Sequence, residues 1–358
     1  MMHSRCAVDP SIQRVEVNGF KFPLGVYPVE AMEPRAGYRL EFEPADGDGG
    51  GDGFDEGAFA EEWPDRYVFD IVISADRVEA LFRQLVPLLP GRVYPILDFI
   101  GHDAYREIDP YIARALVGTD WLLDAVRACR PFFFEDGMCG FGALSDDPFM
   151  HLFVDEHKII TVRCEAGMRE RFERVLAAFD LQEIEEPAGA DAAAHEHRNV
   201  LWTPEDRPDL LSAEEIIEDL RDAWQLDLNI DATTNVDDQG RGLGITPWRC
   251  VVRSEGRSRT RYSEVVLTAD CLMDAEDLAF EATLGLLASE ADGEEGGEEE
   301  PVVITADRLT GTQLRELLNG DPSSVFGGGG GGGSGGSARA AGVESPRESR
   351  VIRGRWLA

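Results

Sequence analysis

The sequence predicts an α+β protein with mixed sheets and packed helices, arranged as two domains followed by a disordered Gly-rich linker and tail. Three observations predict it. Short apolar strands are joined by hairpin signals, amphipathic helices with capping boxes lie between them, and seven consecutive glycines at 327–333 precede a segment of opposite charge.

The first domain is expected over residues 1–186. Arg14 to Phe22 alternates apolar and polar residues about Asn18-Gly19, a pair that accepts the positive φ angles of a two-residue hairpin turn. Tyr38 to Glu43 reads as a strand leading into an acidic Gly/Asp insertion near 45–57, too polar to pack. Tyr67 to Ile73 is a strand, and Val78, Leu81, Phe82 and Leu85 then fall at helical spacing until Pro87. Val93 to Ile100 reads as a strand, Ile112 to Cys129 as a helix broken near Gly118, and Pro131 to Glu135 as a short apolar strand. Met150 to Val154 and Ile159 to Arg163 flank the polar turn Asp155-Glu156-His157-Lys158, and Met168 to Phe179 carries a helical stripe.

Residues 187–197, alanine-rich and polar, are expected to be a linker, with the second domain over 198–325. Ser212 and Glu215 form a capping-box sequence ahead of Ile216, Ile217, Leu220 and Trp224. Alternation at Leu226 to Ile230, Trp248 to Arg253 and Tyr262 to Leu267 predicts strands, and Ala275 to Leu287 a helix. A second capping box, Thr310 to Gln313, precedes Leu314, Leu317 and Leu318. An octet recurs at Ile71 to Val78, Val265 to Leu272 and Val302 to Leu309. Its unequal spacing excludes a solenoid and fits the chemistry of a strand end followed by a helix start.

A formal charge of −35 repels polyanions, so neither nucleic acid nor an anionic membrane surface is an expected partner. No stretch of about 18 apolar residues is available to span a bilayer. Six scattered cysteines without a CxxC pair point to a reducing, cytoplasmic setting.

Chemistry is sparsely signalled. There is no P-loop and no HExxH motif, and no cofactor is implied. Asp227 to Asp238 places oxygen ligands at several positions of a calcium loop. Ala232 stands where the sharp turn wants Gly, however, and Asp238 where a bidentate Glu is usual, so the segment reads as a strand with polar edges. His195-Glu196-His197 falls in the expected linker, where no preformed metal geometry is anticipated. The candidate catalytic set is Cys139 as a thiol nucleophile, His102 as its base and Asp98 as the orienting carboxylate. A metal-assisted alternative centres on His151 and His157, with Asp155 and Glu156 between them.

The segment 326–358 carries a formal charge of +3. Within it, Arg350, Arg353 and Arg355 alternate with Val351, Ile352 and Trp356, a mix suited to docking on a sheet edge in cis or in a partner's groove. With globular structure well specified and catalysis not, the leading expectation is a non-enzymatic interaction or regulatory protein. A thiol-dependent or metal-assisted hydrolase is the competing one.

Overall fold

The computed structural model describes residues 4–45, 64–237, 239–256, 259–290, 300–319 and 348–357. Helices and strands are interleaved along the chain, in several sheets, which establishes the α+β class. The Gly/Asp insertion from 46 onward, nearly all of Glu290 to Glu300, and residues 326–347 of the expected linker and tail lie outside the described residues. The described residues form two compact units, one of 1–100 with 109–229, the other of 101–108 with the residues from 230 onward.

The first unit begins with β1 (Glu16–Val17) and β2 (Phe20–Lys21), the hairpin expected about Asn18-Gly19, whose φ angles are +52° and +85°. Next come β3 (Val26–Pro28), β4 (Gly37–Glu43), β5 (Arg66–Val72), α1 (Ala75–Leu85), β6 (Arg92–Ile100), β7 (Ile108–Ala113) and β8 (Val117–Gly118). They are followed by α2 (Thr119–Ala128), α3 (Arg130–Glu135), β9 (Cys139–Asp146), β10 (Phe149–Val154), β11 (Ile160–Glu165), α4 (Arg169–Ala178), β12 (His195–His197), α5 (Ala213–Trp224) and β13 (Leu226–Leu228). The main sheet runs β13-β7-β6-β9-β10-β11-β5-β4, and β12 pairs separately with β3.

One face of this sheet is apolar because alternate residues point to it. Leu97 and Phe99 of β6, Phe141 and Ala143 of β9, Leu152 and Val154 of β10, and Ile160 and Val162 of β11 share a core with the buried faces of α1, α4 and α5. Phe82, Phe133 and Phe134 gather around Phe141 with ring centroids 4.7 to 5.3 Å away, and Trp224 stacks on Phe133 at 6.2 Å. Each such side chain contributes about 1.5–3 kcal/mol when fully buried.

Three local expectations change. Pro131 to Glu135 belongs to helix α3, because a continuous apolar run does not distinguish a buried strand from a buried helix, and Phe132, Phe133 and Phe134 are all buried here. The helix expected from Ile112 starts only at Thr119, since Ile108–Ala113 is a strand with alternating burial. Residues 187–197 are not a linker. Their small side chains let them pack close, with Ala188 and Ala190 buried and Ala190 joining Phe22 and Val26 in a satellite core. The boundary between units falls instead at 229/230.

The second unit contains β14 (Thr246–Glu255), β15 (Thr260–Ala269), α6 (Leu272–Glu290), β16 (Glu300–Arg308), α7 (Gly311–Asn319) and β17 (Arg350–Trp356). Its antiparallel sheet has the order β16-β14-β15-β17. The recurring octet spans the junction of a strand with the helix after it at β5/α1 and β15/α6, whereas the third copy lies in β16 up to Arg308 and ends before α7 begins at Gly311.

Candidate metal centre

The turn between β10 and β11 is built by Asp155. Its backbone N–H donates to the Ile159 carbonyl at 3.0 Å, its carbonyl accepts from Lys158 N–H at 3.0 Å, and its Oδ1 accepts from Ile159 N–H at 2.8 Å. Lys158 takes the left-handed conformation, φ +66°, that Gly would ordinarily supply. Its side chain turns inward, buried, and its ammonium donates to the Cys139 carbonyl. His157 is thereby fixed at the tip of the turn.

The other two histidines come from β12. Residues i and i+2 of a strand share a face, so His195 and His197 project together while Glu196 points away and accepts from Tyr27 Oη at 2.6 Å. β12 lies close against the start of β9 because Gly25 and Gly137 meet without side chains. A Cβ on Gly137 would stand 2.1 Å from the Gly25 carbonyl oxygen.

The three imidazoles form a cluster. Ring centroids are 4.8 Å apart for His157 with either neighbour and 5.0 Å for His195 with His197, and one ligand atom from each lies within 4.8 Å of the others. Nδ1 of His195 meets the Ala193 carbonyl at 2.8 Å, and Nδ1 of His197 the Gly137 carbonyl at 2.7 Å. A carbonyl only accepts, so both Nδ1 atoms carry a proton, and in the neutral imidazole Nε2 is then left to present its lone pair. Nδ1 of His157 faces Asp155 Oδ2 at 3.3 Å and Glu156 Oε1 at 3.4 Å. Nε2 of His157 and Nε2 of His195 are 3.0 Å apart, a separation two lone pairs hold only with a cation or a proton between them.

Burial opposes charge on His157, but the hydrogen bond to Asp155 and the charges of Asp155, Glu156 and Asp191 outweigh it and raise its pKa. His197 is lowered, by burial and by the neighbouring histidines. Asp155 is raised by burial, against the pull of His157. Nitrogens bound at about 2.0–2.1 Å to a tetrahedral zinc stand roughly 3.3 Å apart, near the 3.0 Å of the His157–His195 pair, while the three ligand atoms together lie within 4.8 Å of one another. A carbonyl or carboxylate behind each Nδ1 is the second layer that orients metal-bound imidazoles.

The other sequence candidates are placed as follows. Cys139 pairs with Phe99 and points into the core, fully buried, and desolvation holds its thiol well above the usual range. Asp98 pairs with Gly140 one position along, hence on the opposite face of the sheet, and is pushed up to about 6 by burial and then by the charge of Glu156. His102 sits in segment 101–108 of the second unit. The strands therefore do not bring Asp98 to the Cys139 thiol. His151 leans on Phe153, receives Arg163 Nη1 at 3.3 Å, and is pushed down to about 4 by burial and then by that guanidinium. It lies outside the His157 cluster. In the segment considered for calcium, Asp231 accepts from the hydroxyls of Thr233 and Thr234, and Asp237 pairs with Arg241.

The C-terminal residues dock within the second unit. β17 pairs with β15 from Thr268↔Arg350 to Ser263↔Trp356, and Arg353 and Arg355 both donate to Glu264 Oε1. Arg350 pairs with Glu348 at the exposed end, and Trp356 lies under the Arg261 guanidinium.

No family model, no curated protein and no solved structure matches the chain. Among the described residues, no helix is long and apolar enough to cross a membrane.

Proposed function

We propose that the protein binds one divalent transition-metal ion, zinc being the best fit, through Nε2 of His157, His195 and His197, and that the ion acts as a regulatory staple. The observation that carries this reading is the convergence of the three rings with Nδ1 already committed to an acceptor in each. The ion would tie the β10–β11 turn to β12, two segments separated by more than thirty residues of chain. Three nitrogens leave a fourth tetrahedral position for water or a carboxylate. Six free, buried cysteines fit a reducing compartment such as the cytoplasm.

Isothermal titration of the metal-free chain with zinc tests the proposal. The expected result is one zinc per chain, a proton released from the crowded Nε2 pair, and an affinity loss of more than about 100-fold in His157→Gln, His195→Gln or His197→Gln. Equal binding by the wild type and all three variants would refute it.

A second reading, an interaction protein acting through its basic C-terminal strand, is favoured by a different observation. Arg353 and Arg355 converge on one buried carboxylate, an arrangement specific for this short sequence.

A further inference from the structure

Glu264 is a buried carboxylate on β15, the strand between β14 and β17, its side chain 1% exposed. Arg249 Nε donates to its Oε2 at 2.8 Å, and Arg353 Nη2 and Arg355 Nε donate to Oε1 at 3.0 and 2.9 Å. Burial alone would raise its pKa, and the arginines reverse this to a net lowering. Arg353 and Arg355 are two apart on a strand and so share a face, which lets one carboxylate read both.

The other contacts follow the same logic. Thr268 Oγ1 donates to the Glu348 carbonyl at 2.8 Å, Leu357 N–H donates to the Tyr262 carbonyl at 2.8 Å, and Arg353 Nη1 donates to the Leu317 carbonyl at 3.1 Å. The Arg261 guanidinium sits 4.0 Å from the Trp356 ring centroid. The polar receptor groups belong to β15, β14 and α7, and Leu286 of α6 lies beside Gly354. The strand itself gives little to the core, since Val351 and Ile352 are 40% and 37% exposed and no apolar side chain of β17 is fully buried. Docking therefore rests on main-chain pairing and charge, which recognise a sequence without regard to which chain supplies it.

We infer that the β15 edge is a strand-recognition groove, held in cis by β17, whose partner is an extended segment of another protein bearing arginines two apart and then an aromatic residue. This rests on the second reading above and is independent of the metal. A strongly acidic surface favours encounter with such a basic segment, and the chain's own tail is its competitor.

The test uses the full chain and a fluorescent peptide copying residues 348–358. Wild type, its groove filled in cis, should bind the peptide weakly. The Arg353→Ala/Arg355→Ala double variant, which loosens the cis strand, should bind it about tenfold more tightly or better, and adding Glu264→Gln should abolish that gain. Hydrogen exchange across β14 reports whether the second unit stays folded. The inference is overturned if the double variant gains no affinity, or if β14 loses protection when β17 is loosened, because the strand is then an inseparable part of the sheet. Neither outcome bears on zinc binding at the histidines, so the two readings fail separately.

Discussion

His157 owes its position to a turn that contains no glycine. Asp155 closes that turn with its backbone and with Oδ1, leaving Oδ2 to face the imidazole Nδ1. Asp155→Asn keeps an oxygen for the Ile159 N–H and removes the charge behind the ring, so zinc affinity should fall about 10–100-fold with the three ligands untouched. Competition against a chromophoric chelator measures this, and an unchanged affinity would deny Asp155 its orienting role. All three histidines are visible in the sequence, but no local pattern joins them. His195 and His197 stand in an alanine-rich stretch whose composition resembles a linker, and His157 lies nearer in sequence to His151. The available signal was the His-x-His spacing, which on a strand places both rings on one face. Nothing local in the sequence identifies that segment as a strand.

Elements set by short-range chemistry were legible. Ser212 Oγ accepts from Glu215 N–H while Glu215 accepts from Ser212 N–H, and Thr310 and Gln313 do the same, as both capping boxes require. Elements decided by long-range packing were not legible: α3 is helical because three consecutive phenylalanines are all buried, and β12 exists because β3 lies beside it. The contact of Gly25 with Gly137 is of this second kind, and it supports the metal centre, since Gly137 also supplies the carbonyl that orients His197. Gly137→Ala should force the two backbones apart, lower stability by about 1–3 kcal/mol and weaken zinc binding. Gly91→Ala, where a Cβ meets nothing within 4 Å, is the control. Denaturation and zinc titration of both variants decide the matter, and equal behaviour would show that the close approach does not support the site.

At the scale of the molecule, composition anticipated an α+β protein of two parts but misplaced their boundary, because Pro187 to His197 looks polar while its alanines pack. It also set Asp98 beside Cys139, although strand alternation puts Asp98 and the Cys139 thiol on opposite faces of the sheet. The opposition of charge between body and tail did find a structural counterpart in the contacts of Arg353 and Arg355 with Glu264. The central claim is that three histidines from two distant segments form one metal centre. Anomalous diffraction at the zinc edge from crystals grown with zinc tests it most directly. The account predicts one strong peak about 2.0–2.1 Å from Nε2 of His157, His195 and His197. A site without a peak, or zinc bound only at other residues, would contradict it.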